Sequence, residues 1–255
     1  MNRELSSIFL ALSLCALPLT QAQVENQIDR YEANAAPMVE FEIHQTIEPI
    51  YPPYLKNVGY EDGSATLAIV INQFGELEDY LLLEATHIQF GQAVEKVLPK
   101  WKFSAPLVNG ETAAIASKLK VNFKRGQGVV YESFGYYSLE NKFINMMNRS
   151  DFYRIYTLDE LDRIPIPTKI EKPLFHTELL EDRDLVTAVF EFYIDTEGRV
   201  RIPTLREADD KVDERLLIIA QNAISQWRFE PPQRKGKAVV AKAAQPFHFR
   251  PVNEK

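Results

Sequence analysis

Ala65, Leu67, Ile69 and Ile71 alternate with their neighbours at a period of two, and so do Ala188, Phe190, Phe192 and Ile194, 123 positions later. Alternation of this kind predicts a β-strand with one buried face. Each strand runs into a glycine, Gly75 after Ile71-Asn72-Gln73-Phe74 and Gly198 after Ile194-Asp195-Thr196-Glu197. A glycine there predicts a tight turn into a second strand. The period then changes. Phe90, Ala93, Val94, Val97, Leu98 and Trp101 follow the i, i+3, i+4, i+7 spacing of one helix face, and Leu216, Ile219, Ala220, Ala223, Ile224 and Trp227 repeat it 126 positions later. Asp213 and Glu214 open the second helix, where carboxylates suit the helix dipole. Pro99 ends or kinks the first.

After the helices the match continues. Trp101-Lys102-Phe103 corresponds to Trp227-Arg228-Phe229, Pro106 to Pro232, Gly110 to Gly236, and Phe123 closes an alternating strand as Phe249 does. One short insertion before the second helix reconciles the offsets of 123 and 126, and loops take such insertions at small cost. Repetition at this spacing marks a duplicated unit. Each copy reads strand, turn, strand, helix, strand. The fold class is therefore α+β: two two-layer domains, each a small antiparallel sheet with one packed helix. The division is a leader over 1–22, a short polar segment over 23–36, a first domain over 37–125, an aromatic-rich connector over 126–164 and a second domain over 165–255. Tyr131, Phe134, Tyr136, Tyr137, Phe143, Phe152, Tyr153 and Tyr156 make the connector unlike a flexible linker, so it is expected to pack on one or both repeats.

Ile8–Leu19 is an apolar run that follows Arg3 and precedes Thr20-Gln21-Ala22, the small residues a signal peptidase favours. Its length falls short of the roughly 20 residues a membrane span needs. The expected product is an exported, periplasmic protein cut near Ala22; an uncleaved inner-membrane anchor is the alternative. Cys15, the one cysteine, lies inside this run. Cleavage leaves a mature chain with no disulfide, held by its apolar cores.

Composition narrows the function further. The chain of 255 residues carries a net charge of -7, which disfavours nucleic acid or an anionic lipid surface as the main partner. Neither G-x-x-x-x-G-K-[ST] nor G-x-G-x-x-G occurs, so no nucleotide cofactor loop is evident. His44, His87, His176 and His248 form no ligand pairing, and no metal site is expected. Asp209, Asp210 and Asp213 lack the spacing of a calcium loop and read as a solvated helix start. There is no G-x-S-x-G elbow, and no enzyme activity and no cofactor are expected.

Pro49-x-Tyr51-Pro52, Gly59, Gly63, the strand to Ile71, Gly75, Trp101-x-Phe103, Pro106, Gly110 and the strand ending at Phe123 together resemble the C-terminal domain of TonB-type energy transducers. The second unit matches the later part, at Gly198, Trp227-x-Phe229-x-Pro231-Pro232, Gly236 and Phe247-His248-Phe249. At the offset of 123, Tyr51 and Pro52 fall on Leu174 and Phe175, and Gly59 and Gly63 on Asp182 and Val186. The entry motif is thus expected to be missing from the second copy. Transducing members of the family carry an N-terminal membrane anchor and a long Pro-rich spacer. Here the apolar run is short and no such spacer follows: Gln23–Ala36 spans at most about 50 Å. The resemblance therefore implies a soluble periplasmic relative, an interaction module auxiliary to envelope or outer-membrane transport. Its partner would be a protein or peptide in the periplasm, outer-membrane receptors included. A membrane-anchored energy transducer is one alternative. A small-ligand carrier or enzyme with a cleft between the repeats is another.

The candidate partner-binding residues are Tyr51, Pro52, Lys118, Leu119, Lys120, Val121, Asn122 and Phe123. The resemblance places the strand of Lys118–Phe123 at the sheet edge, where unpaired backbone groups take up an extended peptide. Pro246 in the second copy corresponds to Lys120 and supports an edge, since proline lacks the ladder donor. Lys118, Lys120 and Lys124 also suit a protected edge that binds nothing. Tyr51 either plugs the core or stands beside a ligand. Trp101 and Trp227 are expected to close the helix stripes onto the sheets.

Overall fold

In chain order the first half runs β1 (Ile43–Gln45), α1 (Pro53–Asn57), β2 (Asp62–Ile71), β3 (Leu77–Ala85), α2 (Ile88–Val97), β4 (Lys102–Phe103) and β5 (Ile115–Lys124). Three short strands follow, β6 (Val130–Phe134), β7 (Tyr153–Arg154) and β8 (Tyr156–Thr157). The second half is β9 (Pro167–Lys169), β10 (Val186–Ile194), β11 (Val200–Ala208), α3 (Glu214–Ser225), β12 (Arg228–Phe229) and β13 (Ala241–Phe249). The structure is a computed structural model that describes residues 39–126, 130–134, 152–181 and 183–251. The expected leader with Cys15, the 23–36 segment, Asp182 and residues 135–151 of the connector lie outside the described residues.

Two larger sheets organise the chain, ordered β7-β3-β2-β5-β6 and β8-β13-β10-β11. Their central strands pair antiparallel, with β2 between β3 and β5, and β10 between β11 and β13. One helix packs on each, so the α+β architecture of small sheets with a packed helix is as the periodicity predicts. The two halves repeat local chemistry as well as topology. Asn72 Oδ1 accepts the Phe74 and Glu76 amides at 2.9 and 3.0 Å; Asp195 Oδ1 accepts the Glu197 and Arg199 amides, both at 2.9 Å. In each half a side-chain acceptor folds the backbone into the hairpin. Gly75 (φ 82°) and Gly198 (φ 78°) then take a left-handed conformation hard against the backbone after the tryptophan, a place with no room for a Cβ.

The helices begin and end for readable reasons. Asp213 caps α3, its side chain accepting the Arg215 amide at 2.9 Å, and His87 caps α2 through the Gln89 amide. Helix α2 stops at Val97 and passes into a 3₁₀ turn containing Pro99, which cannot continue the ladder. The helix-facing core of the first half gathers Leu67, Ile69, Phe90, Val94, Leu98, Trp101, Leu119 and Phe123. The second gathers Phe190, Phe192, Leu216, Ala220, Ile224, Trp227, Phe247 and Phe249.

The strands do not have only one buried face, as alternation suggested. A third buried cluster lies on the opposite faces of the two sheets: Ala68, Leu81 and Leu83 from the first half meet Tyr193, Ile202 and Val240 from the second. Ala68 and Val70 are the apolar residues between the core positions of β2, so the run Ala65–Ile71 is apolar on both sides. Strands buried on both faces read as continuous apolar runs. Polar contacts frame this interface. Arg201 forks onto the Asp79 carboxylate, donates to the Tyr80 carbonyl at 2.9 Å and lies 3.5 Å from Asp195. Lys242 pairs with Glu191 at 2.8 Å.

The end of the connector fastens the halves together. Tyr153 and Arg154 pair antiparallel with Ala85 and Glu84 of β3, and two residues later Tyr156 and Thr157 pair parallel with Ala241 and Lys242 of β13. Arg154 and Arg234 lie on the Tyr156 ring, each 4.5 Å from its centroid, and both reach Glu160. This part of the aromatic stretch pairs with both sheets.

Candidate functional site

The hydrogen bonds of β2 decide which backbone groups of β5 are available. Along an antiparallel strand successive residues turn their N–H and C=O to alternate sides. Ser64 turns toward β3: its amide donates to Thr86 Oγ1 at 3.0 Å and its carbonyl accepts the Thr86 amide at 2.9 Å. Ala65, Leu67 and Ile69 therefore turn toward β5, where they oppose Val121, Leu119 and Ser117. The backbone groups of Lys118, Lys120 and Asn122 point outward, away from β2.

That outward side is not an open edge, which corrects the placement implied by the resemblance. Strand β6 covers it antiparallel, with Lys118, Leu119, Lys120, Val121 and Asn122 opposite Phe134, Ser133, Glu132, Tyr131 and Val130. The physical reason is the backbone itself: a row of unpaired donors and acceptors is a template for any extended segment within reach. The chain supplies one directly after β5.

The candidate residues divide by face. Leu119, Val121 and Phe123 are buried in the helix-side core, so their side chains are packing groups and only their backbone borders the edge. Lys118, Lys120 and Asn122 alternate with them. Burial lowers the Lys118 ammonium below its usual range, Glu84 and Glu191 oppose that shift, and Lys242 adds to it. Lys118 thus faces the second half of the chain.

Tyr51 is a plug. Its ring meets Phe90 edge-on at 5.4 Å and Phe123 at 6.3 Å, and its hydroxyl donates to the Tyr60 carbonyl at 2.9 Å. Burial, then the Glu61 carboxylate, raises its phenol above the usual range. Pro52 is buried and precedes α1. Neither residue joins Lys118, Lys120 and Asn122 in a single site.

The second half corrects the alignment of the entry segment. Trp101 Nε1 donates to the Ile47 carbonyl at 3.0 Å and Trp227 Nε1 to the Glu171 carbonyl at 2.7 Å, an offset of 124 on the acceptor side. By that offset Tyr51 corresponds to Phe175, not Leu174. The Phe175 ring stands edge-on to Phe249 at 5.2 Å, as Tyr51 does to Phe123. Leu179 is buried as Leu55 is, while Leu174 is 84% exposed. The second half has a Pro-x-aromatic entry of its own at Pro173-Leu174-Phe175.

The corresponding edge of the second sheet is different. Thr187 turns its backbone toward Asp209, whose carboxylate and amide it engages at 2.6 and 3.0 Å. Hence Ala188 and Phe190 turn toward β13, and Ala244, Pro246 and His248 point outward there. Pro246 offers no donor, and the Gln245 side-chain amide bonds its carbonyl at 2.8 Å. Strand β8 covers only Ala241 and Lys242. Among the described residues no strand covers the rest of that edge, and Pro246 removes a donor from it.

The space between the sheets holds the buried cluster of Ala68, Leu81, Leu83, Tyr193, Ile202 and Val240. Among the described residues no group of three or more His, Cys, Asp or Glu is placed to hold a metal ion, and no helix is long and apolar enough to cross a membrane.

No family model matches the chain, and neither does a curated protein. Among solved structures the chain is similar to the solution NMR structure of the Pseudomonas aeruginosa TonB CTD, at 21% identity over 40% of this chain and all of that one, with a TM-score of 0.31.

Proposed function

We propose that this chain is a protein-interaction module of the TonB C-terminal kind, present in two copies over 37–125 and 165–255. It captures an extended peptide by adding it as a strand to the outer side of β5. The observation that carries this reading is the five-residue ladder of β6 on Lys118–Asn122: that side of the sheet accepts a strand in regular register. Main-chain hydrogen bonds supply affinity in such complexes, and alternate side chains supply specificity. The TonB-like motifs around Tyr51, Gly75, Trp101 and Phe123 point the same way. On the leader-like first 22 residues, the module works in the periplasm, auxiliary to envelope transport.

Hydrogen exchange tests the reading. Titration with a library of extended peptides is expected to change amide protection at Lys118, Lys120 and Asn122, and Lys120→Pro is expected to remove binding in a protein that still melts cooperatively. A folded Lys120→Pro variant with undiminished peptide affinity overturns strand addition at β5. N-terminal sequencing tests the compartment: a mature start near Gln23 is expected, and an intact Met1 in the membrane fraction overturns it.

A further inference from the structure

Strands β1 and β9 stand at matching places in the two halves, and their hydrogen bonds fix the match residue by residue. The Ser104 amide donates to the Glu42 carbonyl at 2.8 Å, and the Glu230 amide donates to the Ile166 carbonyl at 2.9 Å. Ile43 and Gln45 lie opposite Phe103 and Lys102, as Pro167 and Lys169 lie opposite Phe229 and Arg228. Glu40, Glu42 and Thr46 of the first half therefore match Ile164, Ile166 and Ile170 of the second. These isoleucines are 69%, 53% and 53% exposed. Three polar positions of one half are solvent-facing aliphatic positions in the other.

The charges differ as sharply. Lys169, Arg228 and Arg199 lie in one row across neighbouring backbone segments, where the first half has Gln45, Lys102 and Glu76. Asp195 and Glu197 hold Arg199 at 2.8 and 3.1 Å, and Arg163 pairs with Glu230 at 2.8 Å. Lys169 and Arg228 remain as like charges directly opposite each other, an arrangement that costs stability and that an anion offsets. Within a Debye length of about 8 Å a partner meets this local charge, not the -7 of the whole chain.

The backbone of this corner excludes a strand as the partner. The Ile166 carbonyl points at β12, so Pro165 and Pro167 turn their backbone to the other side. Neither proline has an N–H. Among the described residues no strand pairs there, and an added peptide finds no regular ladder. What the corner offers is aliphatic side chains beside cations. An anionic lipid surface takes that combination, with the aliphatic carbon entering the headgroup boundary and the cations meeting phosphate.

We infer that the corner formed by Ile164, Ile166, Ile170, Lys169 and Arg228 is a docking site for an anionic lipid surface. The second half thereby carries a contact for which the first half lacks the residues. The inference is independent of strand addition at β5, and its failure would leave that reading as it stands.

The experiment floats the chain from Gln23 to Lys255, which leaves out the apolar run of Ile8–Leu19, with two kinds of vesicle. One is an equal mixture of phosphatidylglycerol and phosphatidylcholine, the other phosphatidylcholine alone. Binding to the anionic vesicles is expected, and it should weaken at high salt. A basic residue near such a surface contributes about fivefold, so Lys169→Gln with Arg228→Gln should weaken binding about 25-fold. Ile164→Ser with Ile166→Ser should weaken it at least about tenfold. Ile164→Glu with Ile166→Glu installs the first-half residues and should abolish it in a protein that still melts cooperatively. Anionic vesicles should also slow exchange of the Thr168 and Ile170 amides. Absence of binding, equal binding to phosphatidylcholine alone, or binding that survives the glutamate pair overturns the inference. Capture of polyglutamate through Lys169 and Arg228 without vesicle binding overturns it in favour of an acidic protein. A dimer that Ile166→Glu dissolves, again without vesicle binding, overturns it in favour of a second copy of this chain. Should the glutamate pair not fold, undiminished vesicle affinity of the serine pair overturns the inference.

Discussion

Trp101 and Trp227 sit where each helix stripe meets its sheet, 3% and 7% exposed, and the structure separates two contributions from each ring. The first is area. A buried tryptophan removes about 150–250 Å² from water, and its truncation to alanine in a core costs about 3–5 kcal/mol once the cavity is included. The second is the indole N–H, which bonds the Ile47 carbonyl at 3.0 Å in one copy and the Glu171 carbonyl at 2.7 Å in the other. A neutral hydrogen bond of this kind contributes about 1 kcal/mol net. Phenylalanine keeps most of the area and loses the bond. Trp→Phe is therefore expected to cost about 1–2 kcal/mol and Trp→Ala about 3–5 kcal/mol in either copy. Trp227 also borders Phe229 and Phe247, at 6.3 and 5.7 Å between ring centroids, so Trp227→Ala should reach the upper end of its range. Urea unfolding followed by circular dichroism measures this. With a slope of about 2 kcal/mol per molar, a loss of 4 kcal/mol moves the midpoint by about 2 M. Alanine variants that lose less than about 1 kcal/mol would show that these rings do not hold the cores. A phenylalanine variant as damaged as the alanine one would show that the hydrogen bond, not burial, dominates.

Gly198→Ala is expected to destabilise more than Gly75→Ala in thermal melts. Both residues have positive φ, and the added Cβ meets the Phe103 carbonyl at 2.7 Å beside Gly75 but overlaps the Phe229 carbonyl outright beside Gly198. Each should cost more than about 1 kcal/mol, and a neutral Gly198→Ala would contradict the turn packing. The Glu160 carboxyl, hydrogen-bonded by Arg154, is held down at about 2, below its ordinary value of 4.5. Its contribution is thus present above pH 4.5 and is lost as the pH falls towards 2, since the unfolded chain binds the proton first. Glu160→Gln should flatten that part of the stability–pH curve, and a curve of unchanged slope would refute the assignment. Pro246→Lys restores an outward donor on β13, so calorimetric titration with an extended peptide that binds the unaltered chain should show an additional bound equivalent. Unchanged stoichiometry would mean that Pro246 is not what closes that edge.

The sequence by itself determined the elements and the order in which they run in each half. Alternation at Ala65–Ile71 and Phe190–Ile194, the 3.6-period stripes ending in Trp101 and Trp227, and the Asn72 and Asp195 turns are consequences of local geometry, and local geometry repeats wherever its residues repeat. The entry segment was less legible. Its packing residue is a single aromatic, and a one-residue shift in a loop moves Tyr51 from Phe175 to Leu174 without disturbing any periodicity. Only the Trp227 bond to the Glu171 carbonyl and the Phe175–Phe249 contact set that register. The second buried face was written in the apolar Ala68, Val70, Leu81 and Leu83, but what covers it was not: Tyr193, Ile202 and Val240 lie more than a hundred positions away. The fate of the β5 edge belonged wholly to the tertiary structure. An edge is a row of backbone N–H and C=O groups, which nearly every residue type carries. Side-chain pattern therefore identifies a strand, while three-dimensional proximity decides which strand pairs with it.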